Sequence, residues 1–244
     1  TKIVKNILFA SRVLRNEKFD AAILTTDNVD YYLATFMIYF AGIPVRIGFG
    51  NENSGLLHKR KADLKLENLF NIRIPFKEGV IHQKDIFFQL LAPFGGCLEQ
   101  FSPEIWSTPD DDRKAESFFA ELHPANSDVR PYFAIGISTT AEKRDWGIEN
   151  FRDLIVRADK KYNPFWIFIG PGSDRSKYSM LFDGISKSFN AAGRFSLTEL
   201  YSVLKNCFLY IGPDSGPAHV AAAAGCRILE ISCHPEGGST YSIN

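Results

Sequence analysis

Three short polar strings hold most of the chemistry available to this chain: Ser138-Thr139-Thr140 running on to Lys143-Arg144, Gly170-Pro171-Gly172-Ser173-Asp174, and Gly212-Pro213-Asp214-Ser215-Gly216-Pro217-Ala218-His219. In the third, Asp, Ser and Gly stand directly before a proline-started helix. That arrangement leaves backbone N–H groups unpaired at the positive end of a helix dipole, which is an anion site. Simple N-capping by Asp214 or Ser215 uses the same residue types. Lys143 and Arg144 supply cations for a pyrophosphate at that helix start, or form a solvated helix-entry loop. Gly170 and Gly172 fit close approach of a nucleotide or a tight turn, and the string is not the G-x-G-x-x-G of a dinucleotide fold. His219 is the one histidine placed at this expected cleft. Ser215 and His219 fall on one helical turn, which is not the geometry of a hydrolytic triad.

Other features carry less. Asp110-Asp111-Asp112 reads as a solvated run in a proline-containing linker, and no metal site is expected. Cys97, Cys207, Cys226 and Cys233 form no C-x-x-C pair and read as reduced core thiols of a cytoplasmic protein. Lys plus Arg number 28 and Asp plus Glu 28, so the formal net charge is zero. The excess cation that a nucleic-acid partner demands is missing. In the N-terminal half, Arg46 with His58-Lys59-Arg60-Lys61 makes the one concentrated basic patch. It suits a phosphorylated glycolipid acceptor, with a solvated loop as the plainer reading. The apolar run from Tyr31 to Ile43 is too short to span hydrocarbon, so membrane contact is expected to be peripheral at most.

These loops need a frame. From Asp128 onward, continuous apolar runs at Tyr132–Ser138, Phe165–Gly170, Phe208–Gly212 and Arg227–Ser232 alternate with helical stretches, the signature of a parallel sheet covered on both faces. Ile148, Phe151, Leu154, Ile155 and Ala158 give one helix its buried stripe. Ser196 and Glu199 form a capping box for the next helix, and Gly216-Pro217 and Gly225 bracket a third. Ligands of such sheets bind beyond the carboxyl ends of the strands, where all three polar strings lie. The first 125 residues are less regular. Helices are expected near Ile3–Arg15, Tyr31–Phe40 and Gln83–Ala92, with strands at Ala21–Thr25 and Val45–Phe49. The expected division is therefore 1–125 and 126–244, with the linker near 102–130. Two strands make a poor sheet, so part of the first domain is expected upstream of Thr1.

Five strings in order resemble one family: Ala41–Phe49 (AGIPVRIGF), Arg144–Phe151 (RDWGIENF), Gly170–Asp174 (GPGSD), Ala192–Leu200 (AGRFSLTEL) and Gly212–Gly225 (GPDSGPAHVAAAAG). Together they look like the lipopolysaccharide heptosyltransferases of glycosyltransferase family 9. The resemblance implies an α/β fold of GT-B type, two Rossmann-like domains facing across a cleft, the second holding a nucleotide-sugar donor, ADP-heptose. It implies inverting, metal-independent transfer with no cofactor, to a lipopolysaccharide core or related glycan, at the inner face of a bacterial inner membrane. Arg144 stands where the family has a phosphate-binding lysine, with Lys143 beside it. Asp214, Ser215, Gly216 and His219 match the donor motif; Ser138, Thr139, Thr140, Gly170, Gly172 and Asp174 complete the expected donor site. The family's catalytic aspartate lies on an early glycine-containing loop that nothing in Thr1–Ala22 matches. No base is named here, and it is expected upstream; Asp27 and Asp30 are the fallback carboxylates. A nucleotide-sugar epimerase and a binding remnant without catalysis are the competing readings.

Overall fold

The computed structural model describes residues 2–25, 30–50, 66–75, 83–96, 102–122, 130–139, 145–179, 181, 185 and 187–232. The chain divides into two compact units, Thr1–Gln100 and Phe101–Asn244.

In the first unit the described elements are α1 (Lys2–Arg12), β1 (Ala21–Ile23), α2 (Asp30–Phe40), β2 (Val45–Gly50), β3 (Ile72–Pro75) and α3 (Gln83–Gln89). The strands form a parallel sheet in the order β1-β2-β3. Strand β3 was not expected from its sequence. Its four residues alternate between half-buried Ile72 and Ile74 and exposed Arg73 and Pro75, too short a pattern to stand out. Ile47 and Phe49 of β2 pack with Leu90 in one apolar cluster, and Ala10, Ala41 and Ile43 form another.

The second unit runs α4 (Pro109–Leu122), β4 (Tyr132–Ile135), α5 (Ile148–Tyr162), β5 (Phe165–Phe168), α6 (Arg175–Ser179), β6 (Ser188–Asn190), α7 (Leu197–Leu204), β7 (Leu209–Pro213), α8 (Gly216–Ala223) and β8 (Arg227–Ile231). Its five strands are all parallel, in the order β6-β5-β4-β7-β8. Four were expected. The fifth, β6, is a three-residue edge strand with a single apolar residue, Phe189.

Alternation along the strands builds two cores. Ala134, Ile167 and Tyr210 face one layer with Phe118 of α4 and Val203 of α7. Phe133, Ile135, Trp166, Phe168 and Ile211 face the other, with Phe151 and Ile155 of α5. Burying strands on both faces removes the polar alternation, which is why they read as unbroken apolar runs. The one polar group that Trp166 takes inside is matched, since its indole N–H donates to Asp159 Oδ1 at 3.0 Å.

The stretch read as a linker instead holds α4. Thr108 caps that helix, its N–H donating to Asp111 Oδ2 at 2.8 Å while Asp111 N–H donates back to Thr108 Oγ1 at 3.3 Å. Thr-Pro-Asp-Asp is thus a capping box with proline in the first turn. Asp111 is buried and also accepts from the Thr198 hydroxyl of α7 at 3.1 Å. Asp112 accepts from Ser202 of α7 at 2.6 Å. The acidic run is a helix start bonded to its neighbour, not a solvated charge cluster. The box expected at Ser196 is present, with Ser196 N–H donating to Glu199 Oε2 at 2.7 Å.

Candidate functional site

Strands β4 and β7 are neighbours in the sheet, while the chain runs outward from β4 through β5 to β6 before crossing back to β7. This is the switch point of a doubly wound sheet, where the loops on either side diverge and leave a crevice. A cavity of about 520 Å³ opens there, walled by Ser138 and Thr139 after β4, by Gly170, Pro171, Ser173 and Asp174 after β5, and by Asp214 to Pro217 and His219 after β7. Three loops read separately from sequence therefore meet in one place.

Helix α8 presents its N-terminus to this cavity. Ser215 occupies the cap position but does not cap: its hydroxyl turns back to donate to Pro213 O at 3.1 Å. Pro217 has no N–H to offer, and the space beside Gly216 is open, with no atom within 4 Å of where a Cβ would stand. The Ser215 side chain therefore does not cap the helix, and simple capping by Ser215 does not occur. Asp214 is buried at 6% exposure, and its Oδ1 lies 3.9 Å from His219 Nε2 one turn into the helix.

Two buried polar atoms in the same walls have no hydrogen-bond partner among the described residues, Ser138 Oγ and Asp174 Oδ2. Asp174 is 2% exposed, and its other oxygen lies 3.4 Å from Lys177 Nζ. An unmatched buried carboxylate oxygen is costly and is the natural partner of a ligand hydroxyl. Gly170 makes room for it: φ there is +154°, and an added Cβ would stand 2.9 Å from Asp174 Oδ2. Beneath the cavity Tyr178 ties two strand ends together, donating to Ile169 O and accepting from Ile137 N–H at 3.3 Å. Burial pushes its phenol well above the ordinary range, so it remains a neutral donor at neutral pH.

A second cavity of about 400 Å³ adjoins the first, sharing Ile169, Gly170, Pro171 and Pro217 with it. Its remaining walls come from Gly193, Phe195, Ser196 and Leu197 at the entrance to α7, and from Ala191 and Leu200. It is apolar, apart from backbone groups and one hydroxyl. A polar cleft ending on a helix N-terminus, beside an apolar slot, suits a diphosphate joined to a nucleoside.

Of the expected donor residues, Ser138, Thr139, Gly170, Gly172, Asp174, Asp214, Ser215, Gly216 and His219 are placed by the structure. All but Gly172 line the larger cavity, and Gly172 sits behind it against Gly193. Thr140, Lys143 and Arg144 lie outside the described residues, as do Lys59, Arg60 and Lys61. Arg46 is described, and its guanidinium has structural work: Nε donates to Leu69 O at 2.7 Å, Nη1 to Ile43 O at 2.5 Å, and the group lies over the Tyr39 ring. Trp146 packs edge-on against Phe151 and so anchors the start of α5. Among residues the sequence did not single out, Lys177 lines the polar cavity and Phe195 and Leu197 the apolar one. Among the described residues no group of three His, Cys, Asp or Glu side chains is placed to hold a metal ion.

The sequence profile of glycosyltransferase family 9 (heptosyltransferase) matches residues 8–231. The chain is 25% identical over 232 residues to the lipopolysaccharide core heptosyltransferase OpsX of Haemophilus influenzae, covering 93% of this chain and 60% of that protein. A crystal structure of a family 9 glycosyltransferase from Veillonella parvula superposes with a TM-score of 0.71 at 18% identity, over 92% of this chain and 61% of that one. The E. coli heptosyltransferase WaaC with ADP-2-deoxy-2-fluoro heptose superposes with a TM-score of 0.64 at 16% identity, over 93% and 65%. This chain thus spans about three fifths of the length of OpsX and of the Veillonella protein, and the architecture shared with these structures is GT-B.

Proposed function

Because the chain belongs to glycosyltransferase family 9, we propose that its second unit holds a nucleotide-sugar donor, ADP-heptose, and that the protein transfers heptose to a lipopolysaccharide core or related glycan. The observation that carries this reading is the conjunction in one cavity of an α8 N-terminus that Ser215 does not cap and two buried polar atoms unmatched among the described residues, Ser138 Oγ and Asp174 Oδ2. The names of OpsX and of the WaaC complex favour heptose and ADP over other sugars and bases.

In this reading the base enters the apolar slot beside Phe195 and Leu197. The diphosphate lies at Gly216, with Lys143 and Arg144 as its proposed counter-ions and the Ser138 hydroxyl as a donor. Asp174 Oδ2 accepts from a hydroxyl of the donor. The acceptor hydroxyl attacks the anomeric carbon, the bond to the diphosphate oxygen breaks, and charge grows on the departing ADP. A helix N-terminus aimed at that oxygen stabilises the growing charge more than the ground state, which is the form of catalysis that matters. The proton of the acceptor hydroxyl goes to a base that we do not assign. The acceptor patch is reduced to Lys59, Arg60 and Lys61, since Arg46 is engaged by backbone carbonyls. No described helix is long and apolar enough to cross a membrane, and peripheral contact at the inner face remains part of the proposal.

A thermal-shift panel of ADP, GDP, UDP and CMP with their sugar conjugates tests the reading, because a ligand of the folded state raises its stability by mass action. ADP and ADP-heptose are expected to shift the midpoint most, and Asp174→Asn to reduce the response to both. Equal responses to all bases, or an unaltered response in the variant, would count against it.

A further inference from the structure

The apolar slot is bounded on one side by the loop from Ala191 to Ser196, and what stands behind that loop is α4. Arg194 points away from the slot, toward α4. Its two terminal nitrogens donate to the two carboxylate oxygens of Glu121, Nη1 at 3.2 Å. The guanidinium carbon lies 5.0 Å from the centre of the Phe118 ring and 5.2 Å from that of Phe189. Phe118 in turn meets Phe195, a wall of the slot, edge to face at 5.0 Å between centroids. A planar cation held by a two-pronged carboxylate and two ring faces has little freedom left.

The same helix grips the entrance of α7 further along. Lys114 reaches Glu199 at 2.6 Å, the residue that closes the capping box on Ser196, and Asp111 and Asp112 accept from Thr198 and Ser202. On the other side the loop is pressed onto the strand ends: Gly193 N–H donates to Gly170 O at 2.8 Å. The left-handed Gly193, at φ +72°, leaves only 2.7 Å between Gly172 Cα and the place a Cβ would take. The slot wall is thus clamped between α4 and the loop after β5, with no atom of Arg194, Glu121 or Lys114 lining either cavity.

We propose that α4 is a brace for the base pocket and that Arg194, gripped by Glu121, is its positioning residue, setting the separation of Phe195 and Leu197 from Pro171 and hence the fit of the nucleobase. The inference rests on the donor reading above but concerns a different part of the ligand from the diphosphate. A brace of this kind acts on the base and spares the pyrophosphate end, which is fixed by β4 and β7.

The experiment is calorimetric titration of the 244-residue chain with ADP and, separately, with inorganic pyrophosphate, for the parent, Glu121→Gln, Arg194→Lys and Arg194→Met. Positioning changes of this kind move coupling between sites by modest factors, so ADP affinity should fall about five- to tenfold in Glu121→Gln and Arg194→Met, with Arg194→Lys between them and the parent. Pyrophosphate affinity should not change. The Glu121→Gln and Arg194→Met effects should be far from additive when combined, since they break one contact. Equal losses for ADP and pyrophosphate, or unchanged ADP affinity in Glu121→Gln with its melting temperature intact, would overturn the brace. A parent chain that binds neither ligand would overturn the donor reading and the brace with it.

Discussion

Gly212→Ala is a small change with a large expected cost. Gly212 lies in β7, where it pairs in register with Glu230 of β8, and the Tyr210 hydroxyl occupies the space its Cβ would need. The same Cβ would stand 2.7 Å from Gly136 O. Neither neighbour can retreat, for Tyr210 is fully buried and Gly136 N–H is bonded to Ile211 O at 3.0 Å. Forcing one methyl into a filled core costs about 1–3 kcal/mol, and an overlap involving strand backbone belongs at the upper end, about 2–3 kcal/mol. For a unit of this size that corresponds to a fall of roughly 4–12 °C in melting midpoint. Tyr210→Phe removes the hydroxyl and should restore part of the loss in the double variant, giving a coupling of about 1 kcal/mol or more. Denaturant unfolding followed by fluorescence of Trp166, which is fully buried in this unit, measures all four proteins. An unchanged midpoint in Gly212→Ala, or a double variant no more stable than the single one, would refute the packing argument.

Ser196→Ala should lose the capping box of α7 at a cost of about 1 kcal/mol, read by the same unfolding assay. Asp111 is held below the ordinary carboxylate range first by the Thr108 N–H, Glu121 by Arg194, and Glu199 by Lys114. Carboxyls depressed in the folded state stabilise it above their unfolded pKa, so the contribution is full at neutral pH and is lost as pH falls below about 4. Asp111→Asn should flatten that acid limb of the melting curve. Arg144→Ala should weaken ADP binding by roughly 1.5–3 kcal/mol through loss of a charge-assisted contact, and calorimetry on the folded variant decides it. Transfer by the full-length enzyme should persist in excess chelator if the α8 terminus and these cations carry the leaving-group charge.

What could be read from the sequence followed from the length of its signals. Strands β4, β5 and β7 are buried along most of their length on both faces, so Phe165-Trp166-Ile167-Phe168 announces itself without context. Strands β3 and β6 sit at sheet edges, where Arg73 and Ser188 are tolerated and the apolar pattern shrinks to one or two residues. Thr108-Pro109-Asp110-Asp111 carried a complete helix-start signal, obscured because three adjacent carboxylates also describe a solvated loop. Only the bonds from Thr198 and Ser202 decide between the two, and they come from nearly ninety residues away. The polar loops were legible because Gly, Asp and Ser before a helix have few other uses. The apolar slot was not, because Phe195 and Leu197 look like any core residues until the fold places Phe195 half-buried against Phe118 and leaves Leu197 exposed. Arg46 looked like an acceptor cation for the converse reason: its partners are backbone carbonyls, which have no sequence signature.

The described walls of both cavities come from residues between Gly136 and His219, all within the second unit. On the proposed donor reading, the free energy of binding to these walls enters the unfolding equilibrium of that unit. In a melt that resolves two transitions, a saturating nucleotide should move one of them and leave the other in place. The chain then carries its own internal reference: the stationary transition reports sample integrity and solvent effects, and the gap between the two reads out donor affinity directly.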